Sequence, residues 1–158
     1  MSDRDVRIIK LEPMRVVSFL GFGASPEALA WNQLTEWAKP RGFLKESEKH
    51  PIFGFNNPNP SPGSPNYGYE LWMGIEPGDL TPTDAVETKD FAGGLYAVMR
   101  CVVPKGDFGV IGSTWQKLSK WLEGSAYKFG SHQWLEKTVP CDLPDIEFVL
   151  DLYLPIAG

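Results

Sequence analysis

The chain writes one pattern twice, and that repetition constrains its fold more than any other feature. "WNQLTEWAKPRGF" (31 to 43) and "WQKLSKWLEGSAY" (115 to 127) share W-x-x-L-[ST]-x-W and close on an aromatic residue, at an offset of 84 (115 minus 31). "YELWMGI" (69 to 75) and "LDLYLPI" (150 to 156) match position by position at an offset of 81 (150 minus 69), so that Glu70 corresponds to Asp151 and Trp72 to Tyr153. Tryptophan is rare, and two coinciding Trp with a Leu are hard to assign to chance.

Each W-x-x-L segment reads as a helix. Ala30, Trp31, Leu34, Trp37 and Ala38 fall on one stripe, as do Ile111, Trp115, Leu118 and Leu122. Ser25 before Pro26 has the form of a cap and first turn, and Gly42 and Gly124 are placed to stop the two helices. A β-branched or aromatic run precedes each helix, "MRVVSFLGFG" (14 to 23) and "GLYAVMRCVV" (94 to 103). Two further strands follow each: "IFGF" (52 to 55) and "YELWMGI", then "QWLEKT" (133 to 138) and "FVLDLYLPI" (148 to 156). The unit is β-α-β-β, duplicated, with internal repeats at about 6 to 76 and 86 to 156 and a turn-rich linker, "EPGDLTPTDA" (76 to 85). Neither unit can bury a sheet face alone, which predicts one α+β domain over 1 to 158, with antiparallel sheets and two main helices packed on one side. "NNPNPSPGSPNYG" (56 to 68) holds four prolines in thirteen residues and is irregular, either a solvated turn or a lid over a ligand.

Composition narrows the function classes. The chain is 42% hydrophobic and 22% charged, as folded proteins are, and its net charge of -5 opposes nucleic acid, whose phosphates need a basic surface. Cationic ligands suit that balance. The N-terminal stretch "MSDRDVRIIK" is charged and lacks an apolar core, and no run reaches transmembrane length, which reads as a cytoplasmic protein without membrane contact. Cys101 and Cys141 form no CxxC and are expected to be buried, reduced thiols.

Strand alternation raises the chemical question. Residues two apart share a face, so Leu150, Leu152 and Leu154 point under a helix, as do Tyr69, Leu71 and Met73. Glu70 with Trp72, and Asp151 with Tyr153, then point the other way. Trp134 and Glu136 in "QWLEKT" form a third acid-and-aromatic pair whose face the sequence leaves open. Carboxylates among aromatic rings select flat, lipophilic cations, because the ring faces attract positive charge and a carboxylate in an apolar setting favours a charged partner. The plain alternative is a solvated outer face.

Other chemistries find little in the chain. His50 and His132 have no partners at metal-ligand spacing, so no metal is expected. "GFGASPEA" lacks the third glycine of a dinucleotide fingerprint and the lysine of a phosphate loop, and no cofactor is expected. Neither Ser25 nor Ser113 stands in G-x-S-x-G.

The doubled β-α-β-β unit, the "GDFGVIGSTWQKLSKWL" helix entry, the "SAY" after it and the "WLE" that follows resemble the GyrI-like (gyrase-inhibitor-like) effector-binding domain, over nearly the whole chain. That domain is also the ligand-binding half of AraC-type and MerR-type multidrug-responsive activators. The resemblance implies a small-molecule groove between the two halves, lined by aromatics and floored by a glutamate, matched here by Glu136. It further implies Phe108 in "GDFG" as a pocket aromatic, although Asp107 stands where members have proline, and Tyr153 as the last-strand aromatic. Glu70, Trp72 and Asp151 join this set through the chain's own symmetry. With no helix-turn-helix before the first repeat, direct DNA binding is not expected.

Three functions follow from the resemblance. The first is a free-standing protein that binds lipophilic, cationic or aromatic compounds for sensing or sequestration. The second is a hydrolase of cyclopropane-bearing genotoxic compounds, with Glu136 as general base or charge stabiliser and Tyr153 polarising the substrate. The third is a protein partner such as gyrase, contacted through an acidic exterior.

Overall fold

The computed structural model describes residues 5–158, so the first four residues of the charged N-terminal stretch, and of the expected 1 to 158 domain, lie outside the described residues. The elements run β1 (Val6–Leu11), β2 (Met14–Gly23), α1 (Pro26–Ala38), a short 3-10 turn (Phe43–Lys45), β3 (Ile52–Asn56), β4 (Tyr67–Ile75), β5 (Glu87–Phe91), β6 (Gly94–Pro104), α2 (Gly109–Glu123), β7 (Lys128–Phe129), β8 (Leu135–Val139) and β9 (Ile146–Ala157). The architecture is α+β with antiparallel pairings. It divides into two compact units, Pro13–Ala92 and the chain up to Glu12 joined with Gly93–Gly158.

In the first unit β4 pairs with both β3 and β2, and β5 pairs with β2. Helix α1 lies on one face of this sheet, where Ala30, Leu34 and Ala38 meet Val17, Phe19, Tyr69, Leu71 and Met73. Burial of one such aliphatic side chain contributes about 1.5–3 kcal/mol. Gly21 permits the close approach, because a methyl group there would run into the Pro26 carbonyl and the backbone of Ala30. In the second unit β9 pairs with β6, β7 and β8, and β1 pairs with β6. Helix α2 covers Met99, Cys101, Leu150, Leu152 and Leu154 with Leu118 and Leu122.

β1 and β5 are strands that the sequence reading did not assign. Both are charged and alternate weakly, "VRIIKL" and "ETKDF", and each pairs with a strand further along or back in the chain than its own hairpin neighbour. The compact units divide at 12/13 and 92/93.

Three local expectations are corrected. Ser25 occupies the N-cap of α1 with Pro26 following, but its side chain makes no cap hydrogen bond. Gly42 does not end α1, which stops at Ala38; its φ of 76° instead opens the 3-10 turn. Cys141 is exposed, and only Cys101 is buried. The proline-rich loop beyond Asn56 is exposed throughout 57–66, and its base is closed by Asn57 N–H to the Gly68 carbonyl at 2.8 Å and Gly68 N–H to the Pro58 carbonyl at 3.0 Å.

Candidate functional site

Glu70 lies on β4 facing away from α1 and is 1% exposed. Its Oε2 accepts from Ser18 Oγ at 2.7 Å, Trp72 Nε1 at 2.6 Å and Lys89 Nζ at 2.7 Å, and its Oε1 accepts from Asn57 Nδ2 at 2.9 Å. Burial by itself would push this carboxyl up, but the four hydrogen bonds, led by that of Lys89, outweigh it and hold the group below its ordinary value. Trp72 packs between Phe55 and Phe91, at 4.8 and 5.4 Å between ring centroids.

Asp151 has the matching position on β9. It accepts from Arg100 Nε at 3.0 Å and Nη2 at 3.3 Å, and Arg7 Nη2 approaches Oδ2 at 3.0 Å. Burial again opposes ionisation, and the two guanidiniums reverse it, so this carboxyl too sits below the usual range. In both units a buried carboxylate on a central strand therefore takes a cation from the edge strand: Lys89 of β5, Arg7 of β1. The lone pairs of Glu70 and Asp151 are engaged by their own chain. Tyr153, two residues on, is 5% exposed and meets Tyr96 at 5.6 Å; burial raises its hydroxyl pKa, and the Asp151 charge adds to that.

The register of β8 answers the face question left by the sequence. Leu135 lies opposite Tyr153, and Glu136 opposite Leu152. Directly opposed residues share a face, and Leu152 belongs to the core under α2. Glu136 therefore faces the helix side and Tyr153 the other, with the sheet between them. Glu136 is also one of the charges acting on Cys101 of the same core, whose thiol is pushed up first by burial and further by this carboxylate.

Trp134 precedes Glu136 by two positions and is 40% exposed. Its ring meets Trp115 of α2 at 5.2 Å and stacks with Phe129 of β7 at 6.2 Å and 16°. Phe108, at the N-cap of α2, is 52% exposed and packs on Phe148 at 6.0 Å. Phe148 is four residues from Leu152 along β9, on the order of 13 Å of strand, so Phe108 stands at the far end of the helix face from Glu136.

The structure thus gathers Trp134, Trp115 and Phe129 into one cluster and sets Glu136 on the same helix side of that unit. It sets Tyr153 and Asp151 on the opposite side of that unit, and Glu70 with Trp72 behind α1 in the other. Trp115 was legible only as part of a core stripe, and Phe129 carried no signal, since a two-residue strand leaves no pattern. The histidines are anchored locally: His50 reaches the Glu46 carbonyl at 3.2 Å and Asp79 at 2.8 Å, and His132 reaches the Leu95 carbonyl at 2.7 Å. Among the described residues no group of three metal-ligating side chains occurs, and no helix is long and apolar enough to cross a membrane.

The sequence profile of the GyrI-like small molecule binding domain matches residues 4–157. Comparison with curated protein sequences found no match. Among solved structures, a hydrolase from Listeria innocua is similar at a TM-score of 0.67 and 15% identity, covering 99% of this chain and 94% of its own. The C-terminal domain of EcmrR is similar at 0.62 and 12%, covering 96% of each chain. SAV2435, whose structure was solved bound to tetraphenylphosphonium, is similar at 0.56 and 12%, covering 97% and 94%. At these identities the likeness shows a shared fold.

Proposed function

From the premise that this chain belongs to the GyrI-like small molecule binding domain family, we propose that it holds lipophilic cations or flat aromatic compounds on the helix-bearing face of the unit containing Gly93–Gly158. The observation that carries this reading is the placement of the Glu136 carboxylate on the same face as the partly exposed rings of Trp134, Trp115 and Phe129. The rings offer area and a negative face to a cation, and the carboxylate supplies a counter-charge. Phe108, on Phe148 at the far end of that face, stands apart from this cluster. Tetraphenylphosphonium bound to a protein of the same fold supports the ligand class. Glu70, Trp72 and Asp151 are read as structural because their polar groups are met within the protein, and Tyr153 because it is buried against Tyr96.

Tryptophan fluorescence with tetraphenylphosphonium, and with neutral triphenylphosphine oxide as its control, tests the reading. Saturable quenching is expected, with the Kd for the cation raised about 5- to 30-fold in Glu136→Gln and about 2- to 30-fold in Trp134→Ala. The neutral compound should not respond to Glu136→Gln. Quenching indifferent to both substitutions would sink the proposal.

The hydrolase reading draws on the Listeria innocua neighbour. It meets a geometric obstacle in the pair of Glu136 and Tyr153, because a substrate touching Glu136 from the helix side cannot also touch Tyr153 through the sheet. Turnover would need a different partner for Glu136, and we place binding first.

A further inference from the structure

Beyond Ser18, strand β2 loses one neighbour. β5 pairs with it only over Met14–Ser18, whereas β4 continues to Gly23, so among the described pairings one edge of residues 19–23 carries no strand. The Leu20 carbonyl on that edge is met by a side chain instead, Gln33 Nε2 donating at 3.1 Å. In an antiparallel ladder the N–H and C=O of one residue face the same way, so Leu20, and Phe22 two residues on, turn their backbone groups outward. Their side chains are 49% and 58% exposed. An unpaired edge of this kind is a template for another strand.

A cleft of about 500 Å³ opens where β5 begins, with Gln33, Glu36, Trp37, Arg41 and Glu87 in its wall. The Trp37 indole N–H is buried and has no acceptor among the described residues, although its ring is held by Phe19, Phe43 and Arg41. Buried donors are rarely left unmatched, and the ring that carries this one forms part of the cleft wall. Arg41 is engaged with Asp84 at 2.8 Å, and Lys89 is drawn to Glu70 at 2.7 Å and reaches Glu87 only at 4.0 Å, so Glu36 and the weakly paired Glu87 set the sign of the charge.

We propose that this edge and cleft receive an extended basic peptide, added to β2 as a strand in line with β5. Its backbone would pair with Leu20 and Phe22, displacing the Gln33 amide, one of its carbonyls would accept from Trp37, and a lysine or arginine side chain would lie between Glu36 and Glu87. Strand addition of this type draws affinity from main-chain bonds and specificity from alternate side chains. The surface shares no residue with the small-molecule site and stands independently of it.

The test uses the full chain with 15N-labelled tryptophan and backbone, titrated with an acetylated, amidated heptapeptide of alternating lysine and valine. An alternating glutamate and valine heptapeptide and free lysine amide are the controls. The Trp37 indole signal, identified by its loss in Trp37→Phe or, should that variant not fold, by its Overhauser contacts with Phe19 and Phe43, is expected to move downfield and saturate together with the Leu20 and Phe22 amides. Glu36→Gln combined with Glu87→Gln should raise the Kd about fivefold. An unmoved Trp37 signal at millimolar peptide would overturn the proposal. So would equal shifts with either control, which would mean indifference to charge in the first case and a small-cation cleft in the second.

Discussion

A carboxylate in the middle of a strand needs donors if it is to be buried ionised, and Glu70 finds four of them. Two, Ser18 and Trp72, come from strands the sequence made visible; Lys89 and Asn57 come from segments read as unassigned chain and irregular loop. The acid at this position was legible and its purpose was not, because the cation that meets it is 19 residues away (89 minus 70) on a strand without a clear pattern. The lowered folded-state pKa means that Glu70 contributes stability that is complete above the unfolded carboxyl value of about 4.3 and is lost as the pH falls through the lower folded value. Lys89→Met should destabilise the protein at pH 7 by about 1–3 kcal/mol, below the figure for a fully buried pair because Lys89 is partly exposed and three other donors remain. The deficit should shrink as acid neutralises the stranded carboxyl. Urea unfolding at pH 7 and pH 3 checks this, and a deficit equal at both would count against the ionic latch.

At the level of elements, strand-to-helix packing set what could be anticipated. The strands at 14 to 23 and 52 to 55 match β2 and β3 almost residue for residue, since their apolar runs face a covered surface. β1 and β5 escaped because each pairs along one side only within its unit and tolerates Arg, Lys, Asp and Glu on its length. Helix α1 lies against β2 across Gly21, where no side chain intervenes. Gly21→Ala must push the helix off the strand, because the obstructing atoms are backbone, and should cost about 1–3 kcal/mol, or about 2–10 °C in Tm for a chain of this size. Thermal melting by circular dichroism reads this directly. Gly112→Ala, in α2 with open space around the added methyl, is the control expected to melt no lower than wild type.

For the molecule taken whole, the net charge of -5 acts on every ligand before any contact forms. If the small-molecule site takes cations, the Kd for tetraphenylphosphonium should rise several-fold, about 3- to 10-fold, between 10 mM and 500 mM sodium chloride as screening shortens from about 30 Å to a few ångströms. Triphenylphosphine oxide should bind with little salt dependence. A cation affinity indifferent to salt would place recognition in ring contacts alone.

The α+β class, the two helices, the six strands beside them and the division of β4 and β9 into a helix side and an opposite side were determined by the sequence itself. Those features rest on local periodicity: which side of a strand is apolar is written in every second residue. The role of Glu70 and Asp151, and the separation of Glu136 from Tyr153, were decided only by tertiary structure. A strand's pattern records which of its residues share a face, but not which neighbour it pairs with or in what register. For "QWLEKT" a slip of one residue would exchange Glu136 with Leu135, and it is the pairing of Leu135 with Tyr153 that sends the glutamate to the helix side.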